Sequence, residues 1–496
     1  MIKKFYTKLY NKIKSNPIEA IFIGLISIIL IHSLLVGTIL GKADNGDFGR
    51  FYLYGGLLDK GSTYEEIYDG YFHKNFNIRH PGLLLPFGPN WVSGTLLLKL
   101  AVILNLLIKA VTGRIFIDLL SFDIRYLAIL YIGIFIFSFY LIIKSFKKWP
   151  VVQILCGIFA IIFFTDVNYI GYFNSFYGEA ATIVFLFLTI GSLLSLVNKP
   201  SPEKKDFYLF FIASGAFLTS KSQQIPLAIF MVIIYFALYK FYSNYKKLIL
   251  KSSIVVVILC VASLLSINDY TNKNNIYQAV FTGVLYDSED PVKDLEELGI
   301  DTKFAPLAGT NFYTENLPFD PMGEEMLKDF YPYASRAKIL LYYAKHLDKF
   351  WNQFVVSAKY AYEFYDLGKN NFEKGAYPNN KPFNTLRTTL ARNHKSLHKN
   401  IYIFIGFSLV FFISLCYYFI RYKDKKTRLL ALLSLLLLAS GASQLVLPIL
   451  GSGRADFGKH LFMINLSYDI MLCAVIMYLG WIITKLIRSF KKGAAA

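Results

Sequence analysis

The chain has 496 residues, of which 55% are hydrophobic and 17% aromatic, and a mean hydropathy of +0.44. Apolar runs of about 20 residues, the length that crosses a bilayer core, recur along it and exclude a water-soluble globular protein. The formal charge is +19, yet residues 268–400 are nearly neutral, with 17 acidic and 16 basic residues. The surplus therefore lies in short basic connections between apolar runs, the pattern of cytoplasmic loops, and nucleic acid is excluded as a partner.

Residues 1–17 carry five lysines and are expected in the cytoplasm. The first apolar run, 18–40, is too long for a signal-peptide core and lacks a small-residue cleavage site, so it reads as a retained helix. Membrane spans are predicted at 18–41, 124–143, 150–164, 178–197, 207–220, 225–239, 251–267, 401–420, 429–449 and 460–486. The basic links 144–148, 199–205, 240–251 and 421–428 share the side of the N-terminus. A further apolar stretch, 95–111, is ambiguous. With 1–17 and 144–148 on one side, an odd number of crossings must separate them. Thus 124–143 crosses, and 95–111 lies in the interface or re-enters, with Lys99 and Lys109 reaching toward headgroups.

The fold class is an all-α polytopic membrane protein of about ten to eleven transmembrane helices. Its far face gathers 42–123, 165–177, 221–224, 268–400 and 450–459. The division expected is a seven-span module over 1–267, a mainly helical loop domain over 268–400 and a three-span module over 401–492. The 268–400 stretch is too long for a loop without structure of its own. Asp290-Pro291, followed by Val292 and the acids Asp294, Glu296 and Glu297, marks a helix start. Residues 334–365 read as one or two more helices, and 493–496 as an appended tail outside the fold. Cys156, Cys260, Cys416 and Cys473 lie in apolar runs without CxxC spacing and read as packing residues. Spans rich in Ile, Phe and Lys point to a bacterium of AT-rich composition.

Four groups of polar residues are candidates for chemistry on the far face. In Asp44-Asn45-Gly46-Asp47-Phe48-Gly49-Arg50, two carboxylates and an arginine follow the first span. They are either interfacial trim, or a general base whose partners are the second acid and a steering arginine. The segment from Asp166 through Asn174 and Tyr177 to Glu179 combines rings, amides and acids, the composition of a sugar-binding surface. Glu179 serves equally as an acid at a helix start. The far-face cations Arg79-His80, Lys221 (beside Gln223), Arg454 and Lys459-His460 need explaining against the positive-inside bias. The last group follows Gly451-Ser452-Gly453, where glycine lets amides approach an anion, and a lipid phosphate is the natural anion at that depth. Asp469 lies inside the last span and is expected either to pair with Arg454 or Lys459 or to take part in catalysis. His346, His394 and His398 lack metal-ligand spacing.

This arrangement resembles the GT-C superfamily of membrane glycosyltransferases. Members have a first span, an outer loop with an essential Asp, a seven-span module and a large outer loop after the seventh span. Here 251–267 is seventh, directly before 268–400. The stretch Phe281-Thr282-Gly283-Val284-Leu285-Tyr286-Asp287 through Leu295-Glu296-Glu297-Leu298-Gly299 looks like bacterial surface-glycan hexosyltransferases of this type. The resemblance implies a polyprenyl-phosphate-linked sugar as donor and a glycan, glycolipid or polymer as acceptor. Transfer would occur on the extracytoplasmic face of a bacterial cytoplasmic membrane. It places Asp44 or Asp47 as base, with Asp47 favoured by the preceding glycine and by Arg50 one turn on. Lys221, Arg454 and Lys459 would hold the phosphate. It also implies Asp166 as the second-loop acid, which in some members binds a divalent metal such as Mg or Mn. No DxD or ExD pair accompanies it here. Two other readings stand beside this one. A lipid-linked-sugar flippase or exporter predicts polar residues along a path through the spans. A membrane-anchored binding protein predicts that 268–400 folds alone.

Overall fold

The computed structural model describes residues 15–58, 63–79, 88–114, 118–363, 371–376, 385–455 and 457–493. Among them nine helices are long and apolar enough to cross a membrane. There are ten if Pro150–Phe164 and Val167–Asn174, bent by 62°, form one span. The protein is an all-α multi-pass membrane protein, the architecture that satisfies backbone polar groups within each segment when no water is at hand.

The N-terminal half contains α1 (Pro17–Leu35), α2 (Ser93–Val111), α3 (Arg125–Ser145), α4 (Pro150–Phe159), α5 (Gly178–Asn198), α6 (Lys204–Leu218), α7 (Ala228–Phe241) and α8 (Lys246–Leu265). Helix α5 is apolar all round and buried along nearly its whole length, so it is the axis of the bundle. Gly191 lets α3 approach it: a Cβ there would lie 2.9 Å from the Ser138 carbonyl oxygen. Phe135 and Phe139 pack on Phe187, so α3 and α5 run parallel. Arg125 donates to the Leu35 carbonyl (3.2 Å), and Thr182 bonds Ser220 (2.8 Å). The C-termini of α1 and α6 and the N-termini of α3 and α5 therefore share one rim.

Helix α2 has 19 residues, about 28 Å at the helical rise, enough to span a bilayer. Its anchors place it otherwise. At its start the Ser93 N–H donates to the Thr219 carbonyl (2.9 Å), and just before it the Asn90 N–H donates to Ser266 (2.6 Å). At its end Asn105 and Lys109 donate to the Ser121 carbonyl (3.0 and 2.7 Å), immediately before α3. Both ends are tied to the same rim, so α2 lies along it. Lys99 and Lys109, expected to reach headgroups, are instead 8% exposed. Lys109 is drawn inward by the carbonyls of Asp118 and Ser121. Single cysteines at Thr112 and Tyr313, in a chain without its native cysteines, should react with an impermeant thiol reagent from the same side. Labelling of the two from opposite sides would show that α2 crosses.

Three short strands pair antiparallel beside α2: β1 (Leu57–Leu58), β2 (Asn75–Ile78) and β3 (Ser121–Asp123), in the order β1-β2-β3. Leu57 faces Ile78, and Phe76 faces Phe122. Strands this short leave no alternation in the sequence, and they were not expected.

The 268–400 segment contributes α9 (Asp269–Gln278), α10 (Pro291–Leu298), α11 (Arg336–Lys345), α12 (Leu347–Lys359) and α13 (Leu386–Asn393). Helix α10 starts as its residues dictate: Asp290 accepts from the Lys293 N–H, Pro291 opens the helix, and Gly299 ends it at φ 65°. The chain closes with α14 (Ile401–Arg421), α15 (Lys425–Ser452), α16 (Phe457–His460) and α17 (Phe462–Gly493). Tyr277, Phe281, Leu295, Phe304 and Phe330 form a second core that also takes in Ile449 of α15 and Phe457 of α16. The end of the α15 span thus completes the core of the 268–400 segment. Gly453 ends α15 at φ 57° and ψ −133°, where only glycine is at ease. A Cβ there would sit 2.4 Å from the Gln278 carbonyl oxygen. Gly453→Ala should cost about 1–3 kcal/mol, read as a lower thermal midpoint in detergent; an unchanged midpoint would show that this contact does not hold the two parts together.

Candidate functional site: a cation-lined cavity at the rim

The first-loop turn is built by Asp44. Its Oδ1 accepts the N–H groups of Gly46 (2.8 Å) and Phe48 (3.1 Å), and Gly46 takes φ 98°. Phe48 then inserts edge-on between Phe176 and Tyr177, with centroids at 5.3 and 4.7 Å. The turn leaves the next carboxylate, Asp47, on the wall of a cavity of about 580 Å³. Arg50 holds Asp47 from one side at 3.3 Å, and Lys459 of α16 pairs with it from the other. The Lys459 ammonium also lies 4.6 Å from the centre of the Tyr177 ring. Tyr177 is itself fixed, donating to the Ala43 carbonyl (2.9 Å) and accepting from the Asn45 N–H (3.1 Å).

A second ion pair stands on the same wall. Glu179, in the first turn of α5, has a side chain only 2% exposed and meets Lys221 at 2.6 Å. A buried carboxylate at a helix start gains from the dipole and from this cation together. Gln223 bonds His460 (2.8 Å). Arg336, at the start of α11, adds another cation, and Asn275 of α9 an amide. Four cations (Arg50, Lys221, Arg336, Lys459) thus line the cavity against two carboxylates (Asp47, Glu179). The rest of the lining is largely apolar and includes Leu264 of α8, Ile267 just after it, Leu340 one turn from Arg336 on α11, and Leu447 and Leu450 of α15. Leu264 and Leu340 are about half exposed, at 46% and 49%, so this part of the lining continues onto the outer surface of the bundle. The arrangement suits an amphiphile with an anionic head.

Asp47, Arg50, Tyr177, Glu179, Lys221, Gln223, Lys459 and His460 are therefore brought together. The other expected residues are not. Asp44 does not line the cavity: its Oδ1 holds the turn, and its charge acts on Lys459. Asn174 donates to the carbonyls of Leu34 (2.9 Å) and Leu40 (2.8 Å), joining the first loop to the bundle. Asp166 caps the turn after the bent span through Asn168, at 2.9 Å. Burial would raise its carboxyl pKa above the ordinary value, and the Thr385 and Asn168 bonds only partly offset this. Its nearest cation is Arg387, and among the described residues no three His, Cys, Asp or Glu side chains converge on one point. The residues present do not fit a divalent metal.

Arg79 is exposed at the end of β2 and does not line the cavity, while His80 lies outside the described residues. Arg454 turns away: it pairs with Asp287, donates to Gln353 (3.0 Å) and stacks 4.5 Å from the Tyr286 ring centre. The amides expected to form an anion nest there are already used, Arg454 N–H on the Thr282 carbonyl and Ala455 N–H on that of Ser452. Asp469 pairs with neither Arg454 nor Lys459 but with Arg387 of α13 (2.7 Å). Tyr169 (2.8 Å) and Tyr362 (3.0 Å) complete its shell. Arg336, Asn275 and Arg387 were missed because each lies in the near-neutral 268–400 segment, where nothing local separates it from surface charge.

Fold and site together define a class: a multi-pass helical membrane protein with a cation-lined, half-apolar cavity at one rim of its bundle. The chain belongs to the family described as the YfdI N-terminal transmembrane domain, whose model matches residues 3–495. That family is associated with membrane glycosyltransferase activity, in agreement with the GT-C resemblance. No curated protein and no solved structure matched the sequence.

Proposed function

We propose that the protein transfers a sugar from a polyprenyl-phosphate-linked donor to a cell-envelope glycan, glycolipid or polymer. The cavity faces the extracytoplasmic side of a bacterial cytoplasmic membrane, and the N-terminus is cytoplasmic. One observation carries the reading. One cavity is lined by a carboxylate, Asp47, by four cations and by leucines of which Leu264 and Leu340 reach the outer surface. Cations match a phosphate head, the leucines match an isoprenoid tail, and the carboxylate suits the acceptor.

In the transfer step, the acceptor oxygen attacks the anomeric carbon as the bond to the phosphate oxygen breaks. The leaving polyprenyl phosphate keeps the electron pair, and Asp47 takes the acceptor proton. At rest Asp47 is held by Arg50 and Lys459. An arriving phosphate competes for Lys459, and as that cation is shared the Asp47 carboxylate is freed to meet the acceptor hydroxyl. Lys221, held by Glu179, and Arg336 stabilise the charge that builds on the phosphate.

Undecaprenyl phosphate in nanodiscs is the direct probe. Lys221→Gln and Arg336→Gln should each weaken its binding about tenfold, the worth of one charge-assisted hydrogen bond. Arg79→Gln, away from the cavity, should leave it unchanged. Equal affinity for the wild type and both cavity variants would remove the phosphate site from this cavity.

A further inference from the structure

Of the aromatic segment expected to bind sugar, Tyr169 and Phe173 are at most 1% exposed, and Phe176 and Tyr177 line the cavity without being open to the surface. The exposed rings beside the cavity come from the 268–400 segment instead. Tyr313 is 61% exposed and Tyr270 44%. Both pack on the buried edge of Phe312, with centroids 5.2 and 5.6 Å away and ring planes at 72° and 85°. Neither is a loose surface side chain. The Tyr313 hydroxyl accepts from the Asn274 amide and also meets Tyr270 and Arg50. Its backbone N–H donates to Asn311 Oδ1 (3.0 Å), which Gln278 holds from the other side (2.9 Å).

This shelf is continuous with the cavity. Tyr270 and Asn274 stand one turn apart on α9, and the residues that follow each of them, Thr271 and Asn275, line the cavity wall. Arg50 joins the two parts: it meets the Tyr313 hydroxyl and lies 3.3 Å from Asp47. We infer that the Tyr270–Tyr313 shelf binds the acceptor, and that the acceptor presents a saccharide there. A pyranose has an apolar C–H face and a polar edge. Fixed tyrosine rings flanked by amides and an arginine offer the complement of both. Leucine or phenylalanine would serve a lipid tail better, and the cavity lining has such residues in Leu264, Leu340, Leu447 and Leu450. A sugar stacked on the shelf points its edge toward Arg50 and so toward the carboxylate that receives its proton.

The inference rests on the transferase reading, and its test separates the two. The full chain is placed in nanodiscs, because glycoside detergents compete for a sugar site. Saturation transfer is then measured to the methyl glycosides of glucose, galactose, rhamnose and N-acetylglucosamine. At least one glycoside should show saturable transfer to its C–H protons. The signal should fall about five- to tenfold in Tyr270→Ala/Tyr313→Ala, whereas Tyr313→Phe, which keeps the ring, should retain most of it. Undecaprenyl phosphate binding should be the same in all of these variants. Lack of transfer to every glycoside, or equal transfer in the double alanine variant, overturns the shelf while leaving the donor site standing. Saccharide binding that depends on the shelf, in a protein that does not bind the lipid phosphate, keeps the shelf and sinks the transferase reading.

Discussion

Asp47→Asn should lower sugar transfer by about 10²–10⁴-fold, the span associated with loss of a general base, while the protein still folds and binds undecaprenyl phosphate. Binding should even tighten somewhat, since the substitution removes one negative charge that competes with the phosphate for Lys459. Asp44→Asn is the matched control. Its carboxamide oxygen can still accept the Gly46 and Phe48 N–H groups, so the turn survives and activity should stay within about tenfold. Transfer rates measured on membranes holding equal amounts of each variant decide between them. Full activity in Asp47→Asn would falsify the assignment of the base. Loss of transfer in Asp44→Asn alone would move the base to Asp44.

The second large effect is on stability. Asp469 and Arg387 are 1% and 2% exposed and form a two-bond pair, Nη2 to Oδ1 at 2.7 Å and Nε to Oδ2 at 3.1 Å. The Arg387 guanidinium also lies 4.4 Å from the centre of the Tyr362 ring. The pair joins α13, from the 268–400 segment, to α17 about two turns from its start. Asp469→Asn or Arg387→Met should each cost about 3–5 kcal/mol, because either leaves one buried charge without its partner. Replacing both, as Asp469→Leu/Arg387→Met, should recover part of that loss, since no buried charge is left unpaired, while the Tyr169 and Tyr362 hydroxyls still lose their acceptor. Thermal midpoints in detergent test this: single variants that melt with the wild type, or a double variant that melts below both singles, would contradict a pair that acts as a buried clamp. The cost to activity should follow the loss of folded protein, since neither residue lines the cavity.

How far the site could be read before the fold was known differs residue by residue. The Asp44–Arg50 run stood out because two carboxylates after a span exceed what a helix end needs. Its internal geometry was partly legible as well, since a glycine between the acids and an arginine one turn on are local features. Which acid faces the cavity was not, because that depends on two backbone N–H groups claiming Asp44. Lys221 and Lys459 were flagged by the side of the membrane on which they fall, a property of the whole threading. Arg454 was flagged for the same reason, but it is turned aside by Asp287 and Gln353 from the 268–400 segment. Position on the correct face brings a side chain near the site; its nearest opposite charge decides where it points.

The same division runs through the whole molecule. Run lengths near the thickness of a bilayer sufficed to mark the apolar helices, and short basic links between them set the expected side of each connection. These signals are local or additive, because the bilayer acts on each segment separately. Counting charges across connections led to the expectation that 95–111 lies in the interface or re-enters, and the bonds that tie both ends of α2 to one rim agree with it. Only the tertiary structure decided that Lys459, from the far end of the chain, clamps Asp47, that Arg336 joins it and that Arg387 reaches Asp469. Only it showed that the exposed rings are Tyr270 and Tyr313 and not those of 165–177. Each of these is a pairing between residues remote in sequence, selected by the need to neutralise or bond a group removed from water. Such a need is set by burial, and burial exists only once the helices have packed.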